Sequence, residues 1–407
     1  MSPGAPSMAS SALLGVAQIV IWGGSFFLLT VLAAPIHVDT GWSLTGVYGA
    51  LTVGALVSGL LSPWASRRIA RGRGRHMLVL SSWLVAAGLV VLALAPHYSV
   101  FVAGWAVIGL GMAGGLYDPL FAVLGARWGQ QARGAIYVVT LIGGFASTIT
   151  WPALAWLEPA LGWRTTCLVY AAFMAVVMTP LYLLALPPDA APAQATAPGP
   201  GTDRQALADV DPRLMRLLSL VFCIAAILMT AVSLQIILLL QGTGHSMTAA
   251  IALSALIGPS MVGVRVLNLA FRNLHAIWMA LFSAAFVALG MLLISTASAA
   301  AAPAAAALGI VCYGVGNGLR ALVRGTLPLA LVPAHAYALV MGRLARSSLV
   351  CQALTPLVCG FILSQWGARS TLWLLAALAV ANTGLSLRLQ WYLRQQRAGG
   401  LHASART

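Results

Sequence analysis

Residues 187–213 read PPDAAPAQATAPGPGTDRQALADVDPR and differ in kind from the sequence on either side. Pro, Ala, Gly and charge dominate, and four of the chain's seven acids, Asp189, Asp203, Asp209 and Asp211, fall here. That composition predicts a flexible aqueous linker. Outside it the chain is apolar almost without interruption. Of 407 residues, 60% are hydrophobic and 7% charged, where a soluble domain carries roughly 25% charge. So few charges cannot clothe a surface in water, so lipid must replace water over most of the outside.

Working outward from the linker, apolar runs of about 20 residues, the length that spans a bilayer, recur on both sides. They fall near 11–35, 44–65, 77–95, 99–125, 134–157 and 165–186, then 214–240, 248–270, 276–296, 304–327, 338–363 and 370–390. The expected fold class is therefore an all-α membrane protein of twelve transmembrane helices in two pseudo-symmetric six-helix bundles. The expected divisions are an N-terminal bundle over 1–186, the linker over 187–213, a C-terminal bundle over 214–390 and a tail over 391–407.

Charge placement orients this arrangement. All 22 basic residues are Arg, and the net charge is +15. A basic surplus can signal nucleic acid, but these Arg sit between apolar runs, where they act as topology signals and interfacial anchors. Arg67, Arg68, Arg71, Arg73, Arg75, Arg127, Arg133, Arg204, Arg213 and Arg216 share one side with the linker and the tail, whereas the other side holds Arg164 and Arg369. Both termini and the linker are thus expected in the cytoplasm. The first apolar run lacks a basic stretch before it, so a retained helix is expected rather than a cleaved signal peptide. The Arg and Ala bias suggests a GC-rich bacterial genome, hence a bacterial inner membrane.

Other classes of function find little support. Cys167, Cys223, Cys312, Cys351 and Cys359 include no C-x-x-C pair and all fall in apolar runs, so buried free thiols are expected. There is no G-x-x-x-x-G-K-[ST], which leaves ion gradients or diffusion rather than ATP as the energy source. There is no H-E-x-x-H or G-x-S-x-G hydrolase signature, so neither an enzyme nor a cofactor is expected. A non-transporting sensor or scaffold would call for a large soluble module, and none is visible.

Weak internal repetition supports two halves. GLYDPLF begins at Gly115 and Pro152 follows; GLRALVR begins at Gly318 and Pro356 follows at a similar interval. Many transporters are built from such repeats, with the solute path between them.

Charges inside apolar runs are the sharpest functional pointers, because each costs roughly 2.5–3.5 kcal/mol at a helix centre. One acid, Asp118, lies in the fourth run, and Arg265, Arg320, Arg324, Arg343 and Arg346 lie in or near later ones. Asn317, Arg320 and Arg324 share one helical face at i, i+3 and i+7. Two readings stay open for these Arg: snorkelling to phosphates, or an anion site whose planar donors match a carboxylate. Asp118 is either the proton-coupling group or half of a structural ion pair. Gln18, Trp22, Ser25 and Phe26, then Thr140, Gly144, Ser147 and Trp151, then Thr230, Ser233 and Gln235 form polar or aromatic faces on further helices. Each also fits ordinary helix packing. His275 and Met279 give H-x-x-x-M, but without a partner motif the pair is expected to be interfacial, and no metal is expected.

These features together resemble the major facilitator superfamily. SRRIARGRGRH at 66–76 resembles its short basic loop motif, with Arg71 and Arg75 in matching places; Ser66 and Ala70 stand where the motif has Gly and Asp. GWR at 162–164 is a frequent feature at the outer mouth. LYDPLF at 116–121, GGFASTITWP at 143–152, GPSMVGVR at 258–265 and RGTLPL at 324–329 resemble an uncharacterised proteobacterial branch. The resemblance implies a secondary transporter working by alternating access, coupled to protons, with membrane lipid around it and a monomer as the working unit. Helices one, four, seven and ten line the cavity in that family, which points to Gln18, Trp22, Tyr117 and Gln235. Its oxalate and monocarboxylate carriers hold cations on helices eight and eleven, where Arg265 and Arg346 lie. A small organic anion is the expected solute, with Arg324, Arg346, Arg320, Arg265 and Asn317 as its ligands. The alternative is efflux of amphipathic drugs or other small hydrophobic compounds.

Overall fold

The computed structural model describes residues 6–189, 200–270, 274–297 and 303–404. Among them there is helix and no strand. That is the expected outcome for a chain in lipid, where a helix satisfies its backbone groups within one segment.

The first helices show what starts and stops each element. α1 (Met8–Gly23) begins where Ser7 accepts a hydrogen bond from the Ser10 N–H. The chain breaks at Gly24–Phe27 and resumes as α2 (Leu28–Thr40), which ends at Gly41 in the left-handed region, φ 72°. α3 (Leu44–Ala70) is capped by Ser43, and α4 (Gly74–Ala93) follows the basic loop. α5 (Tyr98–Gly115) and α6 (Tyr117–Trp128) would form one helix but for Leu116, which is extended at φ −69°, ψ −172°. Pro119 lies just beyond and has no N–H with which to reach back to the Gly115 carbonyl. α7 (Ala132–Gly143), α8 (Ala146–Ala185) and α9 (Pro200–Ala208) complete the first half.

The second half contains α10 (Pro212–Gln241), α11 (Met247–Ala255), α12 (Ile257–Ala270), α13 (Ala276–Thr296), α14 (Pro303–Leu331) and α15 (Ala334–Ser404). Nine stretches of described helix are long and apolar enough to cross a membrane. One, Tyr98–Ala185, has 88 residues. Drawn straight it would run about 130 Å against a hydrocarbon core of about 30 Å. It reverses at Gly162, φ 74° and ψ 160°, within α8. Gly367, φ 75° and ψ 175°, does the same within α15.

Contacts group the chain into two units. The first comprises residues up to Val210 with Pro328–Ala353, the second Asp211–Leu327 with Leu354 onward. In the first, the opening half of α15 packs on α3 and α6: Gly342 lies against Ser66, Gly59 against Leu349, and Gly125 against the Tyr337 ring. The core joins Leu14, Ile21, Phe101, Trp105, Phe121 and Tyr337. In the second, Leu239, Met291, Ile310, Tyr313 and Leu375 form the core. Large apolar side chains such as Val176, Leu184 and Phe361 stand exposed, as a lipid-facing surface requires.

The two halves repeat in their closest packing. Gly104, Gly109 and Gly111 on α5 have counterparts 205 residues on, Gly309, Gly314 and Gly316 on α14. A Cβ on Gly111 would meet the Ser81 carbonyl at 2.7 Å, and one on Gly316 the Ser283 carbonyl at 2.6 Å. Gly162-x-Arg164 and Gly367-x-Arg369 keep the same spacing. This register pairs Gly115 with Arg320, two residues beyond Gly318, the partner that GLYDPLF and GLRALVR suggest. Likewise Ile108 pairs with Tyr313 and Met112 with Asn317.

Candidate functional site

In the first unit the break at Leu116 leaves the Gly115 carbonyl without a helical donor. Gln18, wholly buried on α1, supplies one: its Nε2 donates to Gly115 O at 2.9 Å. The Gln18 Oε1 in turn accepts from Trp22 Nε1 at 3.2 Å. Trp22 therefore offers only ring faces, and it sits 5.5 Å from Phe26, 5.6 Å from Phe27 and 5.5 Å from Tyr117. Tyr117 stacks on Phe121, and Phe27 meets Trp151 edge-on. The structure thus brings Gln18, Trp22 and Tyr117 into one half-exposed aromatic cluster. Tyr170 adds a hydroxyl, donating to Val20 O at 2.9 Å.

Asp118 is 6% exposed in the first turn of α6. The buried Tyr337 lies near it. Arg343 and Arg346 are exposed on the first half of α15.

At the end of α3 the basic loop takes its acids from the 187–213 segment. Arg71 pairs with Asp203 at 3.2 Å. Asp189 accepts from the Arg75 and His76 backbone N–H groups, both at 2.9 Å, and so caps α4. Arg75 also donates to Leu186 O at 3.4 Å, and Arg127 donates to Pro187 O and Pro188 O at 3.2 and 2.7 Å. Asp209 reaches His335 at 3.1 Å. The sequence at 187–213 marks these acids only as solvated. Their capping and pairing roles depend on where the helix ends fall, which composition does not reveal.

In the second unit, Arg265 is 6% exposed on α12 and donates through Nε to Gly318 O at 3.3 Å. Arg320 donates through Nε to Asn317 Oδ1 at 2.8 Å and sets Nη2 against the Met229 sulfur. Arg324 lies half-buried one turn further along α14. Gln235 is buried on α10, and its Oε1 takes no donor. His275 Nδ1 caps α13 by accepting from Ile277 N at 3.3 Å, and Asn268 Nδ2 approaches the Met279 sulfur at 3.4 Å. No group of three or more His, Cys, Asp or Glu side chains placed to hold a metal ion exists among the described residues.

Around Arg320 opens a recess of about 260 Å³, mouth included, lined by Met229, Ser283, Tyr313, Asn317, Arg320 and Asn382 among others. Tyr313 and Asn382 do not stand out in the sequence, yet a signal exists. Tyr313, Asn317, Arg320 and Arg324 form one stripe at i, i+4, i+7 and i+11, so extending the polar face back by one turn finds Tyr313. Met229 carries no such mark among its apolar neighbours.

The fold has known relatives. The family model of the Major Facilitator Superfamily matches residues 14–342. No curated protein matches the chain. Among solved structures, the human organic anion transporter MFSD10 (TETRAN) superposes with TM-score 0.71 at 15% identity, covering 94% of this chain and 100% of that one. The proton:xylose symporter XylE gives 0.67 at 12% identity, covering 94% and 95%. The transporter FucP in its outward conformation gives 0.69 at 11%, covering 93% and 98%. At these identities the likeness shows the fold.

Proposed function

The chain belongs to the Major Facilitator Superfamily, and from that premise we propose that it is a secondary transporter whose solute is a small organic anion, moved by alternating access and coupled to protons. It is a multi-pass membrane transporter and not an enzyme. Dividing Tyr98–Ala185 at Gly129–Gln131 and at Gly162, and Ala334–Gln396 at Gly367, turns the nine apolar stretches into twelve spans. We place both termini and the 187–213 segment in the cytoplasm of a bacterial inner membrane, on the Arg asymmetry.

The observation that carries the anion reading is the placement of three guanidinium groups, those of Arg265, Arg320 and Arg324, in the apolar helices of the second unit. A guanidinium in low dielectric is tolerable when an anion meets it with matched hydrogen bonds. A carboxylate solute supplies that, and Arg346 on the first half of α15 is a further proposed ligand. That a structural neighbour is an organic anion transporter supports the same class. Asp118 is the proposed proton carrier, being buried, titratable and the one acid in the apolar helices of α5 and α6.

The aromatic cluster around Trp22 favours a second reading, an amphipathic solute expelled rather than taken up. Uptake into right-side-out vesicles separates the two. On the anion reading, Arg324→Ala and Arg346→Ala cut uptake of a labelled carboxylate at least about tenfold, the loss expected for one charge-assisted contact. Asp118→Asn retains exchange but loses the response to a proton gradient. Wild-type transport by both Arg variants would refute the anion site.

A further inference from the structure

Two buried polar atoms in the second unit have no use in the fold. Tyr313 on α14 is 1% exposed and Asn382 on α15 is 5% exposed, and both line the recess that Arg320 borders. Tyr313 Oη and Asn382 Oδ1 are buried without a hydrogen-bond partner among the described residues. An apolar bundle gains nothing from a polar atom left unmet. Ser283 lines the same recess and shows the contrast. Its hydroxyl donates to Gly316 O at 2.7 Å and is spent on holding α13 to α14.

Size and hydrogen-bonding roles narrow what could meet the two atoms. A Tyr hydroxyl donates and accepts, whereas an amide oxygen only accepts. The group that serves both must therefore donate to Asn382 Oδ1 and accept from the Tyr313 O–H. The enclosed part of the recess has room for about one water-sized group. A hydroxyl has that size and both roles. A methyl has neither role. A carboxylate is larger and has no proton to give. An ammonium group accepts nothing and would stand beside a guanidinium.

Placement ties the recess to the solute. Tyr313, Asn317 and Arg320 follow one another at i, i+4 and i+7 on one face of α14. The recess thus continues the face that carries a proposed carboxylate ligand. We propose that the transported anion is a small hydroxycarboxylate, whose carboxylate meets Arg320 and whose hydroxyl enters the recess, donating to Asn382 Oδ1 and accepting from the Tyr313 O–H. The inference rests on the anion reading and adds to it the hydroxyl and the two residues that select for it. An analogue without the hydroxyl leaves both residues unmet, and a site built to hydrogen-bond a hydroxyl rejects such an analogue.

The test uses the purified full-length protein in detergent and matched pairs of carboxylates: lactate and propionate, β-hydroxybutyrate and butyrate, gluconate and hexanoate. Thermal stability is followed as each is added, since binding to the folded state raises stability once ligand exceeds its dissociation constant. In at least one pair the hydroxylated member should act at a concentration at least about tenfold lower than its partner. In Tyr313→Phe, which removes one oxygen and keeps the shape, that ratio should fall toward one. Asn382→Leu, of similar volume, should narrow it too, and it carries the test if the Phe variant does not fold. Equal action of both members in every pair, or a ratio preserved in the variants, overturns the proposal and leaves the anion site standing, with the recess holding water. A protein that responds to no carboxylate of either kind overturns the anion reading, and this inference falls with it.

Discussion

Ser66 on α3 and Gly342 on α15 lie in such close contact that a Cβ added to Gly342 would come within 2.3 Å of Ser66 Oγ and 2.9 Å of the Ser62 carbonyl. The loop motif that SRRIARGRGRH resembles has a glycine at the place of Ser66. Here the glycine stands on the other helix instead, at Gly342, and the two helices still meet.

Gly342→Ala should therefore destabilise the first unit by about 1–3 kcal/mol, the usual cost of forcing a methyl into close packing. Thermal unfolding of the purified protein checks this. Ser66→Gly should be nearly silent alone, and combined with Gly342→Ala it should recover part of the loss. The recovery is partial because the Ser62 carbonyl remains in the way. Additive losses in the double variant would mean that the two residues do not share one contact.

Gln18 is the second case where one side chain holds two elements. It answers the Gly115 carbonyl at the α5–α6 break and the Trp22 indole on its own helix. Gln18→Leu keeps the volume and strands both groups in an apolar setting, each at about 1–3 kcal/mol. The expected outcome is a loss of several degrees in unfolding temperature together with a shift in Trp fluorescence, as the ring is no longer tethered. An unchanged spectrum would show that packing with Phe26 and Tyr117 holds Trp22 unaided.

Much of this arrangement is legible in the sequence, and the gaps have physical causes. Lipid forces long apolar runs, so the helices announce themselves. The break at Leu116 is hidden because residues 99–125 read as one long run that is apolar apart from Asp118 and a few polar side chains; Pro119 is the sign of it. The stripe of Asn317, Arg320 and Arg324 was readable from helical spacing. Its neighbours Met229 and Asn382 come from other helices, and only packing brings them there. The glycine pairs spaced by 205 residues were present in the sequence but inconspicuous, since small residues are common in membrane helices.

Asp189 shows how the segment after α8 acts beyond its composition. Its two carboxylate oxygens each take a backbone N–H at the start of α4, from Arg75 and His76. Asp189→Ala should cost about 0.5–2 kcal/mol, the range for losing an N-cap. Asp189→Asn should lose less, because the amide oxygen still accepts one bond. Hydrogen exchange at the first turn of α4 reads this locally: protection at His76 and Met77 should fall in the Ala variant while α13 is unaffected. Unaltered exchange would mean that Arg127 and the Pro187 and Pro188 carbonyls pin this corner without the carboxylate.

Gly162 and Gly367 make the same turn in the two halves, at φ 74° and 75° with ψ near the extended value. That region of backbone space is essentially closed to residues with a Cβ, and a side chain held there costs about 1–3 kcal/mol. A Cβ added at either position would meet no other side chain or packed backbone within 4 Å, so the cost comes from the backbone and not from a clash. Gly162→Ala and Gly367→Ala should each lower stability by that amount, and by similar amounts, since the local geometry is repeated. Gly384→Ala is the control. It too has open space, but it lies within α15 away from the kink, where a methyl restricts the unfolded chain and should leave stability equal or slightly higher. A loss at Gly384 as large as at Gly162 would show that the penalty belongs to any glycine replacement in these helices. A loss confined to Gly162 and Gly367 would show that the two reversals are fixed by backbone strain alone.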